Sequence, residues 1–136
     1  IIHQLDQDGE ALTADKFTEV YYELNKKYFG DDIVIDEQIG LEWARIPHFY
    51  YNYYVYQYAT GLSAATALSN QILSEGKPAV ERYNNEFLKA GCSHYPIEVL
   101  KKAGVDMTEK SYIEDAMKVF ETRLNELETL IETLRK

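Results

Sequence analysis

Ile113, Met117, Phe120, Leu124, Leu127, Ile131 and Leu134 follow one another at alternating steps of four and three residues. That spacing is the a/d seam of a heptad, too slow a repeat for a strand, whose side chains alternate every second residue. The segment must fold as a long helix with one apolar stripe, and the stripe must find a cover. "SYIE" at 111–114 supplies a start, the serine capping forward and the glutamate reaching back in a capping box. One helix laid lengthwise on a bundle is the expected arrangement. A self-associating coiled coil is the alternative.

The rest of the chain carries helical signals as well. Thr13 is placed to cap a helix in which Phe17, Val20, Tyr21, Leu24 and Tyr28 recur at helical spacing, and Gly30 stands at its stop. Ile33–Ile35 could form an extended scrap but has no strand partner. Pro47 suits a first helical turn, and from His48 to Leu73 only Gly61 interrupts, so one long helix ending before Gly76 is predicted. Gly61 would then admit a closely packed neighbour. Pro78 opens a helix with Val80, Tyr83, Phe87 and Leu88 inward, and Pro96 opens a short one; both end in glycine. The expected fold is all-α: a multi-helix bundle with a long Tyr-rich helix and a long C-terminal heptad-patterned helix, residues 1–136 forming one helical subdomain.

Composition narrows the function. The 15.8 kDa chain is 46% hydrophobic with only three prolines and seven glycines, enough for one domain that buries roughly two-thirds of its unfolded surface. The net charge is −9, from 14 basic and 23 acidic residues, and no basic stripe exists to bind nucleic acid. No apolar run reaches the ~18–20 residues of a membrane span. Cys92 is the single cysteine, which precludes an internal disulfide, fits a cytoplasmic location and reads as a small semi-buried side chain. The opening "IIHQLDQDGEALT" has no methionine and reads as the middle of a longer protein.

Complete active sites are missing. His3, His48 and His94 have no histidine four residues on, and none opens an H-E-x-x-H motif. One cysteine cannot make a thiolate metal cluster. No phosphate-cradling glycine pattern occurs, and no serine sits in a nucleophile elbow.

What remains is "IPHFYYNYYVYQYATG" at 46–61, which holds six of the twelve tyrosines and one histidine. On a continuous helix Tyr50, Tyr54, Tyr58, Gly61 and Ala65 share one stripe. Tyr53 and Tyr56 point elsewhere, and Tyr51 lies at the stripe's edge. Such a stripe can be core. Its neutral hydroxyls can equally hold a developing oxyanion, beside His48.

"RIPHFYYNYYVYQYATG", with "ERYNNEFLKAGCSHYPIEVLKKAGVDM" downstream, resembles the C-terminal part of the oligoendopeptidase F family of zinc metallopeptidases, relatives of thimet oligopeptidase. The resemblance covers essentially the whole chain. It implies a largely helical enzyme whose deep channel admits short peptides and excludes folded proteins. It implies zinc held by an H-E-x-x-H helix and a later glutamate, all upstream of the segment matched here, so this chain is expected to hold no metal ligand and to be inactive alone.

By the same resemblance Tyr50 and Tyr54, with His48, stabilise the transition state of peptide hydrolysis. Tyr51, Tyr58, Gly91, Ser93 and Tyr95 are the implied substrate contacts. "AGCSHYP" looks like the family's glycine-containing loop near the channel, with Cys92 where a second glycine is more usual. His94 is expected to be merely exposed. The implied partners are short peptides and the missing N-terminal part of the same polypeptide. The alternative is a non-catalytic helical interaction module in which the final heptad seam and the tyrosine face bind a partner protein; a dimer through the C-terminal helix or through surface bared by truncation would fit either reading.

Overall fold

Thr13 begins the first long helix as expected. Its hydroxyl accepts from the Lys16 amide at 3.2 Å, and Gly30, at φ +76°, closes α2 (Ala14–Phe29). The computed structural model describes residues 1–135, and among these there are helices and turns but no strand. They form two compact units, Ile1–Val55 and a second beginning at Tyr56.

In the first unit a short α1 (Ile2–Gln7) precedes α2, and two 3-10 helices follow, Glu37–Arg45 and Pro47–Tyr50. Ring packing and hydrogen bonds join α2 to the longer 3-10 helix. Phe17 meets Trp43 at 4.9 Å between ring centres, and the Trp43 indole donates to Thr18 Oγ1 at 3.2 Å. Gly40 lets the two approach closely at this crossing, where a Cβ would lie 3.0 Å from Thr18 Cγ2 and 3.1 Å from the Thr18 carbonyl.

The second unit is built on α3 (Tyr56–Glu75). Gly76 ends it, and α4 (Lys77–Arg82) runs directly into a π-helical turn, Tyr83–Leu88. Next come α5 (Pro96–Ala103), closed by Gly104 in the left-handed region, and α6 (Ser111–Leu134). Ala64, Ala67 and Leu68 of α3 form the core with Ala103, Val105 and Tyr112, flanked by Tyr83, Phe87, Leu100 and Met107. Small residues on α3 let its neighbours approach closely.

The all-α class holds; several local expectations do not. The tyrosine-rich segment is not one helix from His48: a 3-10 turn ends at Tyr50, residues 51–55 form a turn with Tyr53 at φ +57°, and α3 starts only at Tyr56. Consecutive aromatics lose rotamer freedom in a helix, and here their rings find stacking partners off it. Gly61 admits no close neighbour, for nothing lies within 4 Å of where its Cβ would be. Val80 of α4 and Leu88 at the end of the π turn are exposed rather than inward, and Ala79 takes the buried place on α4.

Ser111 is the first residue of α6 rather than its cap. Lys110 precedes it already in helical conformation, and no side chain caps the start. The covered face of α6 is Tyr112, Asp115, Ala116 and Val119, one residue away from the heptad seam. The seam itself is exposed from Ile113 to Leu134. Cys92 is exposed too, not semi-buried.

Candidate functional site

Tyr50 and Tyr54 do not stand one above the other on a helix; the turn between them arranges the aromatic groups differently. The His48 and Tyr54 rings stack at 5.4 Å with 14° between their planes. Tyr51 meets Tyr54 edge-on at 6.0 Å. These three expected site residues therefore form one cluster in the first unit, while Tyr58 lies on α3 in the second. The Tyr50 hydroxyl donates its only proton to the Ala44 carbonyl at 2.8 Å, tying the short 3-10 turn to the end of the longer one.

Several contacts hold that turn. Tyr53 stacks on His3 at 4.3 Å, in a left-handed backbone conformation that costs a non-glycine residue roughly 1–3 kcal/mol. Phe49 meets Tyr21 edge-on at 6.0 Å. The Tyr21 hydroxyl in turn donates to Glu42 Oε2 at 3.2 Å, and Glu42 is paired with Arg45. Burial first, then the Glu42 charge and hydrogen bond, raise the Tyr21 phenol above its ordinary value, which keeps it a donor. Sequence reading missed the parts played by His3, Tyr21 and Tyr53. Pairings such as 3 with 53 have no signature in local spacing.

Gly91, Ser93 and Tyr95 meet in the second unit. They line one side of an open cavity of about 1250 Å³, whose other side is Leu68, Ile72 and neighbouring residues of α3. Gly91 has φ +53°, which a larger residue would resist. Cys92 and His94 also face this groove. His94 is exposed as expected but not idle: its Nδ1 lies 2.9 Å from Ser93 Oγ and its Nε2 2.7 Å from Lys102 Nζ.

Among the described residues, no three His, Cys, Asp or Glu side chains converge so as to hold a metal ion. The residues present do not fit a zinc site. None of the described helices is long and apolar enough to cross a membrane.

All-helical among its described residues, the chain carries a His–Tyr cluster on a strained turn in one unit and a glycine-containing loop beside an open groove in the other. Peptidase family M3 matches residues 1–119, and the chain belongs to that family. It is 69% identical over 131 residues to the oligopeptidase PepF of Bacillus subtilis (strain 168), a match covering 96% of this chain and 19% of that protein. Against the chromosomal oligoendopeptidase F of Lactococcus lactis subsp. cremoris it is 48% identical over 131 residues, covering 96% of this chain and 22% of that one. The crystal structure of oligoendopeptidase-F from Enterococcus faecium superposes with a TM-score of 0.82 at 53% identity, covering 95% of this chain and 25% of that chain. The chain spans about a fifth of the length of the curated relatives it matches.

Proposed function

We propose that this chain is the C-terminal part of a cytoplasmic, zinc-dependent oligoendopeptidase that hydrolyses peptide bonds in short peptides. The metal ligands would lie outside this chain. The observation that carries the reading is the His48–Tyr54 stack on the strained turn, in a chain whose relatives are oligopeptidases. Tyr54 is the proposed donor to the tetrahedral oxyanion, with His48 and Tyr51 fixing its ring. Tyr50, its hydroxyl engaged by Ala44, would hold the turn in this conformation and donate to substrate only after releasing that carbonyl. Tyr58, Gly91, Ser93 and Tyr95 are the proposed peptide contacts. The chain alone would be inactive.

The test is Tyr54→Phe in the full-length enzyme, which keeps the ring stack and removes one hydroxyl. Loss of an oxyanion donor costs ~2.7–4 kcal/mol, so kcat should fall roughly 10²–10³-fold with little change in KM. Undiminished kcat in the variant would remove Tyr54 from the mechanism.

A second reading, a helical interaction module with no catalytic part, draws support from one feature. The heptad seam of α6 is uncovered, with Phe120 65% and Leu134 86% exposed.

A further inference from the structure

Four lysines of the second unit differ in what holds them. Lys101 pairs with Asp106 at 2.6 Å, Lys118 with Asp115 at 2.9 Å, and Lys77 with Glu81 at 3.7 Å. Lys102 has no carboxylate partner among the described residues; its ammonium rests on His94 Nε2 at 2.7 Å. Lys89 and Lys110 also lack a carboxylate partner among the described residues; what sets Lys102 apart is its place, against the His94 ring that lines the groove.

The protons can be assigned. An ammonium has only hydrogens to offer, so His94 Nε2 accepts and the ring proton sits on Nδ1, donating to Ser93 Oγ at 2.9 Å. That leaves two ammonium hydrogens of Lys102 and the hydroxyl hydrogen of Ser93 for a third party. Three donor hydrogens, two of them on the charged ammonium, suit the two oxygens of a carboxylate. The one acidic side chain on the groove, Glu98, is occupied, accepting from the Tyr95 amide at 3.3 Å. Beyond this polar rim the groove wall is apolar, lined by Leu68, Ile72 and Phe87.

We infer that Lys102, held by His94 and helped by Ser93, binds a carboxylate of a peptide whose neighbouring apolar side chain enters the groove. This rests on the peptide-hydrolase reading and adds a substrate preference to it. The carboxylate can be the peptide's C-terminus or an acidic side chain, and the occupant is chosen by charge complementarity.

The experiment uses the full-length enzyme and three matched peptides: a free C-terminal acid, its C-terminal amide, and the amide with one internal asparagine changed to aspartate. Lys102→Met should lower kcat/KM roughly fivefold on whichever carboxylate peptide is recognised, through KM, as expected for one partly exposed ion pair. Hydrolysis of the uncharged amide should not change, and Lys102→Arg should keep most of the preference. Loss on the acid peptide alone assigns the C-terminus; loss on the aspartate peptide assigns a side chain. An equal loss on all three, or no loss on any, overturns the inference. Calorimetric binding of the same peptides to wild type and Lys102→Met reads the preference without cleavage. A protein that cleaves nothing but binds carboxylate peptides through Lys102 would refute the peptidase reading and leave this one standing.

Discussion

Asp106 shows how one half-buried carboxylate ties down a helix end. Lys101 Nζ, one turn back on α5, approaches it at 2.6 Å, and the hydroxyl and amide of Thr108 donate to Oδ1 at 2.6 and 3.0 Å. The Lys101 hydrogen bond first, then the two from Thr108, lower the carboxyl from 3.8 to about 2. A group whose pKa is lower folded than unfolded adds stability above the unfolded value and loses it as pH falls through the folded one. The contribution from Asp106 should therefore be whole above 3.8 and fade down to about 2. Asp106→Asn should flatten the pH dependence of the urea midpoint across that window. A variant whose midpoint declines as steeply as wild type would show that the carboxylate is not what the loop's acid sensitivity reports.

At the scale of elements, the end of α5 is joined to α3 and α4 by one small network. Gln71 Nε2 donates to the Gly104 carbonyl at 2.8 Å, and Arg82 Nε donates to the Ala103 carbonyl at 3.1 Å. Arg82 also reaches Gln71 Oε1 at 3.0 Å and pairs with Glu75 at 3.0 Å. These side chains satisfy carbonyls that α5 leaves without helical partners. Gly104 sits at φ +106°, and a Cβ there would lie 2.6 Å from Gln71 Oε1 and 3.0 Å from Arg82 Nε. The Gln71 tip can move, but only by giving up its bonds. Gly104→Ala should cost about 2 kcal/mol or more, from the backbone strain and the disturbed hydrogen bonds together. Chemical denaturation measures it, and a loss under about 0.5 kcal/mol would mean the network adjusts freely.

The helix stops at Gly30, Gly76 and Gly104 and the start after Thr13 were legible because each is settled within a few neighbouring residues. The start of α3 at Tyr56 was not, since the stack of 3 on 53 and the edge-on contact of 21 with 49 compete with the helix from far along the chain, and the π turn at Tyr83–Leu88 has no signature in apolar spacing. The candidate site was legible as a set of residue types. Its arrangement was not, because a stripe counted at 100° per residue assumes the helix that those contacts replace.

For the whole molecule the decisive quantity is surface. A folded monomer of this mass exposes roughly 7,300 Å² and an unfolded one roughly 23,000 Å². The chain exposes 10841 Å², so it buries about half of its unfolded surface, not the two-thirds expected of a self-sufficient domain. Large apolar side chains are part of what is exposed, and all seven residues of the α6 seam are more than a third exposed. Such a surface calls for a cover, and relatives about five times as long have residues to provide one. The chain expressed alone should then bind a hydrophobic dye and self-associate, and Leu127→Lys should weaken that association. In the full-length protein the same substitution places a charge in a covered seam. It should lower stability by roughly 3 kcal/mol, the scale of deleting a buried leucine. A full-length Leu127→Lys protein that unfolds like wild type and still binds the dye would mean that α6 keeps its seam in water. The seam would then be a surface for a separate partner, and the interaction-module reading would gain over the peptidase one for this end of the chain.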